Sequence, residues 1–193
     1  MSQTDACQLL RMCLFPQDAS WQSPLPVVDV NSLRLNSLSL RFYTNNSSLW
    51  RFRSLMVLSV QDSNDFQHEL SFVKELSGFK AFNYHAYNYM LSLSTHPGYR
   101  TNSELYLNTL VDQAIRDPSN FSPLHILITG YESTLFDSQR FFRAASRLID
   151  RTPSEALIEF SVSLCLLKDV PESILSRCRS LVPRDSPYRG IIV

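Results

Sequence analysis

The sequence predicts an α/β protein: a three-layer, mostly parallel sheet with helices on both faces, preceded by an N-terminal helix and a β-hairpin. Three observations carry that expectation. Residues 124–129, Leu-His-Ile-Leu-Ile-Thr, form an apolar run without alternation, as a strand covered on both faces would. Leucines at near-period-two spacing lie before the polar stretch Asn45-Asn46-Ser47-Ser48, and a second apolar arm follows it, the pattern of a hairpin over residues 33–60. Downstream, apolar runs alternate with capped amphipathic segments of roughly ten to fifteen residues, which implies βαβ units with right-handed crossovers.

The chain has 193 residues, 44% hydrophobic and 19% charged, enough for one domain with a core. The organisation expected is an N-terminal helix and Pro-rich connector over 1–32, a single α/β domain over 33–185, and a C-terminal tail over 186–193. Net charge is zero and the pI is about 6.9, so no bulk field favours nucleic acid or an anionic membrane; such a contact must come from a local patch. No apolar run approaches the roughly 18 residues of a membrane span, and no secretory pattern opens the chain. A soluble intracellular protein, nuclear or cytoplasmic, is expected. Cys7, Cys13, Cys165 and Cys178 form no CxxC pair, which suggests buried free thiols rather than a zinc site or a disulfide framework. Three Asn-x-Ser triplets lack a secretory signal to make them meaningful.

Taken in order, residues 4–15 place Leu9, Leu10, Cys13 and Leu14 at helical spacing behind Thr4 or Asp5 as caps. Pro16, Pro24 and Pro26 around Trp21 make an extended connector. The hairpin follows, its second arm running into a buried strand at 55–60. A helix after Ser63, Asn64 or Asp65 carries Phe66, Leu70, Val73 and Leu76 on one face, with Gly78 as a stop. Alternating aromatics at 82, 84, 87 and 89 suggest a strand over 81–94. Ser103 opens a helix with Leu107, Leu110, Val111 and Ala114 inward, ended by Asp117-Pro118. The strand 124–129 comes next, then a helix capped by Asp137 and ended by Thr152-Pro153. A strand from Ala156 to Leu167, a short helix ending in Ser176-Arg177-Cys178 and a last strand complete the order.

On such a sheet, ligands bind beyond the C-terminal ends of the strands. The first strand-to-helix turn, residues 60–65, has no glycine, no lysine and two acids, so it cannot cradle phosphate as a P-loop does. Thr129-Gly130-Tyr131-Glu132 stands where a nucleotidase holds its magnesium-binding and catalytic acids, and Glu132 also suits a turn. Cys165 within an apolar strand is an inert thiol, and the four histidines have no spacing to it or to a metal. An enzymatic site would have to bring together His85, His96 and Glu132. No cofactor and no metal are expected.

The strand His125 to Thr129, the helix start Asp137-Ser138-Gln139, the helix Phe141 to Ile149 and the terminal Ser176-Arg177-Cys178 together resemble the second half of the AAA+ core in the clamp-loader family, that is, replication factor C small subunits and the bacterial delta-prime subunit. The resemblance is close over about a third of the chain. It implies a P-loop NTPase-like fold without P-loop or lid, and it makes Arg177 the candidate for an arginine that reaches a neighbouring ATPase's nucleotide. From the residues alone, Arg177 is equally a helix C-terminal cation opposing the dipole.

The function expected is therefore a non-catalytic, pseudo-ATPase protein-interaction subunit of a DNA replication, recombination or repair assembly, working as a hetero-oligomer. Its docking surface is expected on the N-terminal helix and hairpin, with Arg41, Trp50, Arg51, Phe52 and Arg53 as interaction candidates. The same residues, with Arg34, offer an alternative as a nucleic-acid face, or simply the solvated outside of a hairpin. A viral factor that antagonises a host complex fits the composition as well.

Overall fold

All regular secondary structure among the described residues is helical. The structure, a computed structural model, describes residues 30–60, 65–79, 83–96, 100–151 and 153–191. No strand occurs among them, which overturns the three-layer α/β sheet and the β-hairpin. The helix expected over 4–15 and the connector up to residue 29 lie outside the described residues. The chain divides into two compact units, Met1–Gly98 and Tyr99–Val193, where the sequence suggested a single domain over 33–185.

The first unit contains α1 (Val30–Phe42), α2 (Ser47–Val60), α3 (Asp65–Phe79) and α4 (Tyr84–Thr95). Helix α2 packs on α1 and α4, and α4 packs on α3. The segment expected as hairpin is thus α1, a turn and α2. Its leucine pattern misleads because α1 is apolar on two opposite faces. At about 100° per residue, Leu33, Asn36 and Leu40 share the inner face while Leu35, Leu38 and Phe42 share the outer one, and the sum mimics alternation. The aromatic segment 84–95 is α4, not a strand. Asn83 caps it by accepting a hydrogen bond from the Ala86 amide; the helix wets only the stripe Tyr84, Asn88, Ser92 and Thr95, and the aromatic Tyr84 on that stripe blurs the helical period in its sequence.

The second unit contains a 3₁₀ turn (Arg100–Asn102), α5 (Ser103–Arg116), α6 (Phe121–Glu132), α7 (Ser138–Ile149), α8 (Glu155–Leu166), α9 (Glu172–Leu181) and a closing 3₁₀ turn (Arg189–Ile191). Packing runs both between successive helices and across them: α6 packs against α5 and α8, α8 against α9, and α7 against α5 and α9. The expected strands 124–129 and 156–167 are the middles of α6 and α8. Asn120 caps α6 through the Ser122 amide, and Pro123 sits in its first turn, where the missing N–H has no intrahelical partner to lose. Ser154 caps α8 through the Leu157 amide and donates its own hydroxyl to the Pro118 carbonyl. Gly130, buried in α6, lies against Phe136, and a methyl group there would overlap the ring.

Four expected helices are present, α3, α5, α7 and α9, and α9 runs on to Leu181 through the residues expected as a last strand. The predicted inner faces of α3 and α5 are buried as proposed, and Asp137 caps α7 through the Arg140 amide at 3.0 Å.

Candidate functional site

The interaction candidates of the first unit separate into a buried set and an exposed one. Trp50 is 3% exposed; its indole donates to the Thr44 carbonyl at 2.7 Å and its ring meets Phe72 and Tyr89. Arg53 is 2% exposed. Its guanidinium donates to both Glu69 oxygens at 2.6 and 2.8 Å, to Asn36 Oδ1 at 3.2 Å and to Ser37 Oγ at 2.8 Å, and it lies over the Phe72 ring. Tyr89 completes the knot by donating its hydroxyl to Glu69 at 2.8 Å. Burial, reinforced by the Glu69 carboxylate, pushes the Tyr89 phenol well above its ordinary range. Each of the four helices contributes at least one group: Asn36 and Ser37 from α1, Arg53 from α2, Glu69 from α3, Tyr89 from α4. Trp50 and Arg53 are therefore core residues, and the expected face of alternating arginines and aromatics does not exist as a surface.

Arg41 remains at the surface, gripping the Glu75 carboxylate through both terminal nitrogens. Arg51 is exposed and Phe52 half-buried. What the sequence reasoning missed is the outer face of α1. Leu35, Leu38 and Phe42 are 46%, 55% and 76% exposed and follow one another at spacings of three and four, forming an apolar stripe. The leucine pattern carries this stripe too, but summed with the inner face it reads as strand alternation.

In the second unit, Arg177 on α9 donates to the Ser146 hydroxyl at 2.7 Å and to the Ser146 carbonyl at 3.1 Å, and it pairs with Asp150. Ser146 lies in the last turn of α7, whose carbonyls lack intrahelical partners, so the guanidinium closes the C-terminal end of a neighbouring helix. Cys165 on α8 and Cys178 on α9 are free thiols near each other. Burial pushes Cys165 up and Cys178 up to about 12, so neither is a nucleophile at neutral pH.

A cleft of about 570 Å³ opens between the α6–α7 connection and the end of α8, lined among others by Glu132, Phe136, Asp137, Leu166 and Lys168. Asp137 is occupied there as a helix cap. His85 and His96 belong to the first unit and Glu132 to the second. Among the described residues, no three His, Cys, Asp or Glu side chains gather as metal ligands, and no helix is long and apolar enough to cross a membrane. Comparison with protein-family models, with curated proteins and with solved structures gives no match.

Proposed function

We propose that the chain is a non-catalytic helical module that works by binding another protein through the outer face of α1. The observation that supports this is the stripe Leu35, Leu38 and Phe42, exposed on a helix whose opposite face is already buried in the core. Leaving three large apolar side chains in water on an otherwise satisfied helix is unfavourable unless a partner covers them. The exposed patch is on the order of a few hundred Å², well below the roughly 800 Å² per partner of a stable dimer. The occupant is therefore a short amphipathic helix, bound transiently through anchors at matching spacing. Exposed Arg34 beside the stripe has no ion-pair partner among the described residues, which favours an acidic residue on that helix's flank. Assignment to a replication, recombination or repair assembly came from the sheet-based resemblance and is not carried further.

The test places a photo-crosslinking amino acid at position 35 of the full chain, in its native cells, and sequences the adduct by tandem mass spectrometry. The expected adduct is an apolar segment with acidic neighbours from another protein, lost in Leu38→Glu while the melting temperature holds. Crosslinking to a second copy, to residues 4–15 of the same chain, or to no discrete segment overturns the proposal.

A further inference from the structure

We infer that the arginine row Arg140, Arg143, Arg147 and Arg151, along and just beyond the outer face of α7, binds the phosphate backbone of a nucleic acid without reading its sequence. At about 100° per residue, the three helical members fall within about 60° of one another, and all four side chains are exposed. The row from residue 140 to 151 spans on the order of 16 Å at about 1.5 Å per residue.

Local stability does not account for this placement. Neighbouring cations at spacings of three and four repel each other along the helix. Arg140 also stands in the first turn, where the helix dipole is positive and disfavours a cation. The acids nearby do little to cancel the row. Glu104 pairs with Arg140 at 2.5 Å, but both side chains are more than half exposed and the pair is weak. Asp150 is engaged by Arg177, and Asp137 accepts from the Arg140 amide. Arg143, Arg147 and Arg151 have no ion-pair or hydrogen-bond partner among the described residues. A polyanion laid along the row relieves all of these repulsions together.

The surroundings select the kind of polyanion. The groove between α5 and α7 that Arg140, Arg143 and Arg147 edge is only about 90 Å³, too small to enclose a metabolite. Its floor, Leu107 and Ala144, is buried and offers no apolar anchor. A protein partner draws its affinity from such anchors, whereas a phosphate backbone needs only charge and the forked guanidinium geometry. The chain's net charge is zero, so the row acts as a local patch and not as part of a general field.

The test is fluorescence anisotropy of the full chain with a labelled mixed-sequence DNA duplex of about 20 base pairs and a labelled oligo-dT, titrated from about 25 to 200 mM salt. Binding is expected to fall with salt at a log–log slope of about 3 to 4 on the duplex, the release expected from about four neutralised phosphates. Arg143→Gln with Arg147→Gln is expected to lower that slope by about 2 and low-salt affinity by roughly tenfold or more, with the helical circular dichroism unchanged. Arg34→Glu with Arg51→Glu in the first unit is expected to change neither. No binding at low salt, binding indifferent to the α7 substitutions, loss on the first-unit substitutions instead, or tighter binding of labelled poly-glutamate than of either oligonucleotide overturns the assignment.

Discussion

The two units solve the same packing problem with opposite chemistry. The first ties four helices together through one buried polar knot, Arg53, Glu69, Asn36, Ser37 and Tyr89, set beneath Trp50 and Phe72. The second packs its helices on apolar side chains, with Tyr131 stacked on Phe141 at 4.4 Å and Phe142 against both. Its polar groups serve mainly at helix ends, as with Asn120, Asp137, Ser154 and Arg177. A buried ion pair contributes little net stability, because desolvation offsets most of its attraction. What it supplies is geometry, since each partner has only one place where its hydrogen bonds are met. The first unit is thus specified by pairing and the second by shape.

Breaking the pairing should produce the largest effect. Glu69→Ala leaves the Arg53 guanidinium buried without its counter-charge, and a loss of about 3–5 kcal/mol is expected. Trp50 lies in the first unit, so urea unfolding followed by tryptophan fluorescence in a Trp21→Phe background reports that unit alone. Replacing the pair together, Arg53→Met with Glu69→Leu, should recover most of the loss. If the single and the double substitution behave alike, the knot is not what specifies this unit.

Shape is tested at Gly130. Alanine there drives a methyl group into Phe136, with an expected cost of about 1–3 kcal/mol. Hydrogen exchange should show faster opening in α6 and α7 while the tryptophan transition stays where it was. A silent Gly130→Ala would mean that the second unit is loosely packed.

The smallest effect is alkaline. The Tyr89 phenol is raised above its unfolded value of 10.0, and the Cys165 and Cys178 thiols above theirs of 9.0, Cys178 to about 12. A raised acid protects the fold fully below its unfolded pKa and loses that protection as pH climbs towards the folded one. Under reducing conditions the second unit should therefore begin to weaken above pH 9.0 and the first only above pH 10.0. Cys178→Ser should remove most of the earlier loss and Tyr89→Phe the later one, both read from melting temperatures across pH. The opposite order would sink the assignment of the two windows.

The same contrast explains what was legible in the sequence. Helices α3, α5 and α7 each bury one face and wet the other, so Phe66, Leu70, Val73 and Leu76, or Leu107, Leu110, Val111 and Ala114, show the helical period plainly. Helices α4, α6 and α8 wet only a narrow stripe, and that stripe carries apolar residues, Tyr84, Phe121 and Leu166, so the run displays little period. Their caps, Asn83, Asn120 and Ser154, are the remaining helix signals, and a single polar residue before an apolar run is as common in a turn that opens a strand. Of the site candidates, Arg41 and Arg51 are exposed as expected. Trp50 and Arg53 were misplaced because a strand sets positions 50 and 53 on opposite faces, whereas in α2 residues three apart share the buried face. Nothing local in the sequence pairs Arg53 with Glu69, sixteen positions away on another helix.

Helix α1 is the point where that pairing reaches the surface. With leucines on both faces, it has two comparably greasy sides, and burial alone does not choose between them. Asn36 and Ser37 choose, because only one rotation of the helix lets them reach Arg53 and lets Asn36 donate to the Leu49 carbonyl at 2.9 Å. They act as a key that stops the helix turning about its own axis. A substitution that empties this keyway, such as Asn36→Leu, frees α1 to roll half a turn and draw Leu35, Leu38 and Phe42 inward. The face offered to a partner would then vanish without a single change to the residues that form it.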